Sequence, residues 1–186
     1  MIESKVDLKR YIHSDNAYLN NVQRNKKARF FMHQVHDPGY YICKYVRFLR
    51  KQEYFINTQK GNKFKAVMAL YYERRKHNLG NKLGFYIGPN CFEEGLTLAH
   101  HGSIIVNPNA KIGKNCILHG DNCIGKNKTE MCPKIGNNVD IGFGAVVIGD
   151  ITIADNVKIG ANAVVVKSCL TEGATLIGVP AKVVKR

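Results

Sequence analysis

Apolar and polar residues alternate with two different periods along this chain, and the change comes near residue 80. Before it, apolar side chains recur three or four positions apart, as on one helical face, in a segment with Ile42, Tyr45, Val46 and Leu49. The turn Asp37-Pro38-Gly39 precedes this segment, Ser4 followed by Asp7 resembles a helix cap, and Gly80 offers a stop for a helix that begins near Lys63. The pattern predicts a helical domain over residues 1–80.

Beyond residue 80 aliphatic residues recur every six positions, in two runs of the same register: Val106, Ile112, Leu118 and Ile124, then Ile135, Ile141, Val147, Ile153, Ile159 and Val165. Four positions after most of them there is a small or β-branched residue, and Asn122 is an exception. Neither a helix nor an ordinary strand has a period of six. A triangular coil of three short strands has it, because each face turns one aliphatic side chain inward. Residues 81–186 are therefore predicted to form a solenoid of about three to four coils.

Charge is concentrated in the helical region. Residues 1–80 carry 17 Lys/Arg against 6 Asp/Glu, and residues 81–186 carry 11 against 8, which gives +11 and +3. The basic region indicates an anionic partner, such as nucleic acid, a membrane surface, an acidic glycan or a nucleotide-sugar, with a merely soluble surface as the alternative. Because no recognisable nucleic-acid motif accompanies the charge, no nucleic acid is expected.

Targeting signals and cysteine spacing indicate where the protein is located. No stretch approaches 18 apolar residues, and the first ten residues contain several charged side chains. This predicts a cytoplasmic protein, with attachment to the inner face of the membrane as an alternative. The six cysteines contain no Cys-x-x-Cys pair and no regular spacing with histidine. They are expected to be reduced, and no metal site is expected.

Two segments resemble motifs of a known family. Residues 95–106 (GLTLAHHGSIIV) are similar to the active-site stretch of serine acetyltransferases, and residues 177–182 (IGVPAK) to their closing motif. Over residues 81–186 the chain resembles the hexapeptide-repeat acyltransferases, including relatives that acetylate surface-polysaccharide sugars. The resemblance implies an α+β chain in which helices precede a left-handed parallel β-helix, and a homotrimer with acetyl-CoA between neighbouring β-helices. It also implies that residues 126–133 form a loop reaching the neighbouring subunit's site.

Acetyl transfer from a thioester to a hydroxyl needs a base for the hydroxyl proton and donors for the developing oxyanion. The resemblance assigns the base to His100, since histidine titrates near neutrality. Because His100 is in line with the inward positions, the Gly102-Ser103 irregularity must reset the register. Substrate contacts are expected from His101, His119 and Cys132. The family's cofactor positions match Gly142, Phe143, Gly144, Lys158, Gly160, Ala161 and Lys182.

The chain departs from the serine-specific pattern at three positions. Ala99, Phe85 and Cys132 stand where serine acetyltransferases have two aspartates and a second histidine. The carboxylate that orients His100 must then come from elsewhere, for example Glu93 or Glu94, or be replaced by a backbone carbonyl. These departures favour a sugar hydroxyl of a capsular or lipopolysaccharide polymer, or of its precursor, as the acceptor. The alternatives are L-serine in cysteine biosynthesis and, in another class, a non-catalytic β-helix scaffold.

Overall fold

The computed structural model describes residues 1–128 and 130–184, so Thr129 of the expected loop lies outside the described residues, as do residues 185 and 186. The first half of this part of the chain is helical, and its helices are α1 (Lys5–Ser14), α2 (Ala17–Arg24), α3 (Lys26–Gln34), α4 (Pro38–Thr58) and α5 (Lys63–Leu83). As predicted, Ser4 caps α1, because its hydroxyl accepts a hydrogen bond from the Asp7 amide at 3.0 Å. None of the described helices is long and apolar enough to span a membrane.

The predicted stop at Gly80 is wrong. Helix α5 continues to Leu83, and Gly84 ends it in a left-handed conformation with φ of 82°. Gly80 is buried inside the helix, where a Cβ atom would lie 2.5 Å from the Phe85 carbonyl oxygen and 3.1 Å from the Tyr45 ring. Glycine is required there because helix, ring and the following strand pack closely, not because the helix ends.

The second half is a solenoid of short strands. In chain order they are β1 (Phe85–Ile87), β2 (Thr97–Leu98), β3 (Ile104–Val106), β4 (Lys111–Ile112), β5 (Ile117–Leu118), β6 (Cys123–Gly125), β7 (Lys134–Ile135), β8 (Asp140–Ile141), β9 (Val146–Ile148), β10 (Thr152–Ile153), β11 (Lys158–Ile159), β12 (Val164–Val165), β13 (Thr175–Ile177) and β14 (Lys182–Val184). Face A stacks β1, β3, β6, β9 and β12; face B stacks β4, β7 and β10; face C stacks β2, β5, β8, β11 and β13. Pairing within each face is parallel, and β14 returns antiparallel to β13. The predicted fold class, helices followed by a left-handed parallel β-helix of hexapeptide repeats, is confirmed.

Face A has five stacked strands, so the solenoid has five coils rather than the expected three to four. Single bridging residues complete face B in the first and last coils, where Phe92 pairs with Ile112 and Cys169 with Ile153. The first coil does not show the period of six, because the inward Ile87, Phe92, Leu98 and Val106 are not uniformly spaced.

All ten aliphatic repeat positions are buried, which confirms their inward orientation. Asn122 is buried too, although it is polar. Its side-chain oxygen Oδ1 accepts a hydrogen bond from the Gly120 backbone amide at 3.0 Å, and its side-chain Nδ2 donates to the Gly142 carbonyl at 2.8 Å. The side chain therefore ties one corner of the second coil to the third, since a buried polar group is stable only when it is hydrogen-bonded.

The helices and the solenoid share one hydrophobic core, in which Tyr45 and Leu49 of α4 pack with Phe85 and Ile87 of the first coil. A buried ion cluster crosses the same boundary. Arg50 is fully buried, pairs with Asp15 at 2.7 Å and Glu53 at 2.9 Å, and donates to the Phe92 and Glu93 carbonyls. The helical region is thereby fixed to the first coil.

Candidate active site

Most of the predicted site lies at one corner of the coil, the corner that leads from face C to face A and is called corner CA below. Each strand of face C ends just before it, so this corner repeats along the solenoid axis. Backbone hydrogen bonds connect its levels, for example from the Gly144 amide to the Gly120 carbonyl at 2.9 Å. From the first coil to the fourth the corner holds His100 with His101, His119 with Gly120, Gly142 to Gly144, and Gly160 with Ala161.

His100 follows β2 and is exposed, so it points away from the core as the predicted role requires. The register is reset at Gly102, whose φ is 134°, and the Ser103 amide is held by the Asp121 carboxylate at 2.7 Å. A Cβ atom placed on Gly120 would lie 3.8 Å from the His100 Cβ and 3.0 Å from the Phe143 ring. His100 and Phe143 therefore flank a position that only glycine leaves open.

The His119 ring has a carboxylate partner that the sequence analysis missed. Its Nε2 lies 2.8 Å from the Asp140 Oδ1, and both side chains are about half exposed, at 40% and 41%. Asp140 could have been found from the period of six, because it precedes the inward Ile141 and therefore faces outward in the coil next to His119. A carboxylate on Nε2 fixes the orientation of the ring and leaves Nδ1 open to a bound molecule.

The expectation that Glu93 or Glu94 orients His100 is wrong. Glu93 accepts hydrogen bonds from the Tyr11 hydroxyl and the amino terminus, and Glu94 pairs with Arg10 at 2.8 Å and with Lys114 at 3.2 Å. Within residues 1–128 and 130–184, neither the His100 ring nor the His101 ring makes a hydrogen bond to the protein. His100 is therefore held by its backbone and by the packing of the corner.

The expected cofactor positions extend along corner CA into the later coils. A Cβ on Gly142, Gly144 or Gly160 would approach the next coil to 2.7, 2.1 or 2.8 Å respectively, so stacking already requires glycine at all three. Phe143 is 47% exposed beside them. On face C, Lys158 lies beside Asp140 as its partner in the strand pairing. Lys182 is paired in the same way with Ile177, and Ala161 is exposed. Both lysines are exposed and make no ion pair in the part of the chain that the structure describes, so their charges are available to an anion.

Cys132 lies apart from this group. It precedes β7 at the corner between faces A and B, called corner AB below, whereas His100 lies at corner CA. The Cys132 side chain is buried, and burial raises the pKa of its thiol. One protomer therefore does not bring Cys132 to His100. Phe85 is buried as well, with its ring 5.1 Å from that of Tyr45.

All six cysteines are free thiols in the structure. Burial raises the pKa of Cys43, Cys91 and Cys116 to about 11, so these three thiols are neutral near pH 7. Among the described residues no group of three or more His, Cys, Asp or Glu side chains could hold a metal ion.

Comparison with known proteins agrees with this architecture. The family model of the bacterial transferase hexapeptide (six repeats) matches residues 132–167. No curated protein matches the sequence significantly.

Solved structures share the fold at low sequence identity. Soybean serine acetyltransferase superimposes with a TM-score of 0.70 at 22% identity, covering 97% of this chain and 70% of that enzyme. The enzyme from Neisseria gonorrhoeae gives 0.67 at 23% identity, with 98% and 68% covered. Serine acetyltransferase from Brucella abortus strain S19 gives 0.66 at 24% identity, and the match covers 80% of this chain but only 59% of that enzyme. The chain is therefore similar to hexapeptide transferases over residues 132–167, and it shares its fold with serine acetyltransferases.

Proposed function

We propose that the protein is an acetyl-CoA-dependent O-acetyltransferase whose reaction takes place at corner CA. The observation that carries the proposal is the convergence there of an exposed His100, a carboxylate-bound His119 and the Phe143 ring around Gly120. The solved neighbours are serine acetyltransferases, which supports acetyl transfer. A non-catalytic scaffold has no need for three outward histidines at one corner.

In this proposal His100 removes the proton of the acceptor hydroxyl while the hydroxyl oxygen attacks the thioester carbonyl of acetyl-CoA. The C–S bond breaks, the acetyl group is bonded to the acceptor oxygen, and the proton passes from the imidazole to the departing thiolate. The open Nδ1 of His119 then faces the acceptor, with His101 beside it. Phe143, the small residues of corner CA, Lys158 and Lys182 hold acetyl-CoA, with the lysines directed to its phosphates.

L-serine is the acceptor that the solved neighbours support best, because they are serine acetyltransferases and the soybean enzyme has also been solved in complex with serine. A sugar hydroxyl is the second candidate. It is favoured by a specific observation: Ala99, the buried Phe85 and the buried neutral Cys132 provide no charged group for an amino acid at the positions where the serine-specific pattern has them.

The proposal includes a homotrimer built through face A. The outward residues of that face align in register across all five coils and are all apolar: Tyr86, Ile105, Cys123, Val146 and Val164. Tyr86 and Ile105 are 58% and 46% exposed, and a partner protomer would cover both side chains. Face A lies between corners CA and AB. Cyclic packing through it therefore brings corner AB, with Cys132, of one protomer beside corner CA of the next.

The trimer can be tested by sedimentation. Wild type should have about three times the protomer mass of 20.9 kDa. Ile105→Lys should dissociate it, because a charge would be buried in the interface. Thr152→Lys is the matched control, since it places the same side chain on the exposed outer surface of face B. A wild-type monomer at micromolar concentration, or equal dissociation by both variants, contradicts the arrangement.

The enzymatic proposal is tested by thiol release from acetyl-CoA with L-serine, nucleotide-sugars and oligosaccharides as acceptors. His100→Ala should lower kcat about 10²–10⁴-fold with little change in acetyl-CoA affinity, the usual contribution of a general base. His119→Ala should act mainly on the KM of the acceptor, and Cys132→Ala should be mild. Near-normal turnover of His100→Ala would remove the base assignment. If the protein shows neither acetyl-CoA binding nor acceptor-dependent thiol release, the non-catalytic scaffold is the remaining interpretation.

The basic helical region is further proposed to hold the acceptor side at an anionic surface or acidic glycan. Such binding should weaken steeply with salt, whether the ligand is an anionic liposome or an acidic oligosaccharide. If wild-type binding and activity are the same between about 50 and 500 mM salt, where screening changes strongly, the charge serves solubility alone.

A further inference from the structure

A cavity in the helical region is not used by the proposed reaction. It has a volume of about 500 Å³ and is formed by one face of α5, the first half of α4 and the turn before α4. This volume lies within the range of small-molecule binding sites. Its lining residues are His36, Tyr41, Lys44, Phe48, Arg75, Asn78, Leu79, Lys82 and Leu83.

The charges around this cavity have one sign. Lys44, Arg75 and Lys82 line it, and no carboxylate does. None of the three makes an ion pair with any residue in the ranges 1–128 and 130–184. Cations that share a cavity repel each other, and an anion between them would relieve that repulsion. The cavity is therefore suited to an anionic group.

The remaining wall offers flat aromatic surface. The His36 ring stacks on Tyr41 with an interplanar angle of 8° and its Nδ1 lies 3.0 Å from the Tyr41 hydroxyl. The Arg75 guanidinium lies over the Phe48 ring, 5.3 Å from its centroid. Asn78 adds an amide that can both donate and accept hydrogen bonds. Aromatic faces beside cations suit a planar ring attached to a phosphate, because the ring stacks while the cations bind the oxygens.

We propose that this cavity binds a nucleoside phosphate. The proposal does not rest on acetyl transfer, since the cavity shares none of its lining residues with corner CA and binding can be measured without acetyl-CoA. Arg75, Lys82 and Lys44 would bind the phosphates, and the ring would lie against Phe48 or the stacked His36–Tyr41 pair.

The test is calorimetric titration of the full chain with UDP and, separately, with inorganic pyrophosphate. Wild type should bind UDP more tightly than pyrophosphate, because only UDP has a ring to stack. Arg75→Gln and Lys82→Gln should each weaken UDP binding about tenfold, the loss expected for one charge-assisted hydrogen bond. Arg74→Gln is the matched control, because it removes the same charge from the adjacent exposed position of α5, which does not line the cavity.

Three results would overturn the proposal. They are no UDP binding by wild type, pyrophosphate binding as tight as UDP binding, and equal weakening by Arg74→Gln and Arg75→Gln. The second would restrict the site to phosphate, and the third would reduce it to diffuse positive charge. Because all the substituted residues are exposed, circular dichroism should show unchanged folding in each variant.

Discussion

Replacing Asp15 with alanine removes the acceptor at the centre of the contact between the helices and the first coil. The Asp15 carboxylate is fully buried and accepts four hydrogen bonds, from the Arg50 Nε at 2.7 Å, the Arg50 Nη2 at 3.2 Å, and the Gly95 and Leu96 amides at 2.9 Å each. In the variant Arg50 keeps Glu53 as its only carboxylate, and two buried amides lose their acceptor. Breaking a buried pair in this way costs about 3–5 kcal/mol.

A loss of that size is a large fraction of the stability of a folded domain, about 5–15 kcal/mol. Urea denaturation followed by circular dichroism measures it, at one fixed protomer concentration because association adds to apparent stability. Asp15→Asn keeps one acceptor oxygen and should lose less. Asp150→Ala, at an exposed turn, should leave the midpoint unchanged. A decrease below about 1 kcal/mol for Asp15→Ala would refute the reasoning, since it is less than even one unmatched buried group should cost.

Three further results are expected. Asn122→Val restores the repeat pattern but leaves the Gly120 amide without its acceptor, so it should lower the free energy of unfolding by about 1–3 kcal/mol in urea denaturation; a stabilised variant would contradict this. Gly80→Ala should destabilise the fold despite the better helix propensity of alanine, because its Cβ would meet the Phe85 carbonyl at 2.5 Å, and an unchanged thermal midpoint would show that the helix shifts freely. Backbone and side-chain hydrogen bonds from Asn137 lower the pKa of Asp155 below its ordinary 3.8, so its stabilising contribution is present above pH 3.8 and is lost as the pH falls through the lower folded value. Thermal midpoints from about pH 5 to 2 should therefore fall more steeply for wild type than for Asp155→Asn, and parallel curves would oppose this.

The solenoid could be predicted because its signal is local and repeated. Each coil turns an aliphatic residue inward at the same phase, so ten positions such as Val106 and Ile159 report the same geometry independently. The end of α5 could not be found in this way. Gly80 has the composition of a helix stop, but the reason for glycine there is the close approach of Tyr45 and Phe85, which are distant or later in the chain.

The candidate site residues show the same difference between local sequence signals and contacts that depend on the fold. The orientation of His100 followed from its motif and from the irregularity at Gly102, both of which are local. The pairing of His119 with Asp140 links residues in adjacent coils and depends on the register between two strands. That register could be read from the period of six only after the loop between Ile124 and Ile135 had been placed. The partners of Glu93 and Glu94 come from α1, the amino terminus and the next coil, which no repeat indicates.

The contacts of Asp15 and Asn16 give the helical region a second role besides its charge. Strand β2 is at the edge of face C and has no preceding coil to pair with. Asn16 supplies the missing partners, since its backbone amide donates to the Leu96 carbonyl at 2.9 Å and its side chain donates to the Leu98 carbonyl at 2.8 Å. Terminal coils of solenoids need such a cap, because an open edge exposes unpaired backbone groups. Here the capped strand ends two residues before His100, so the helices that close the solenoid also hold the backbone from which the proposed base extends.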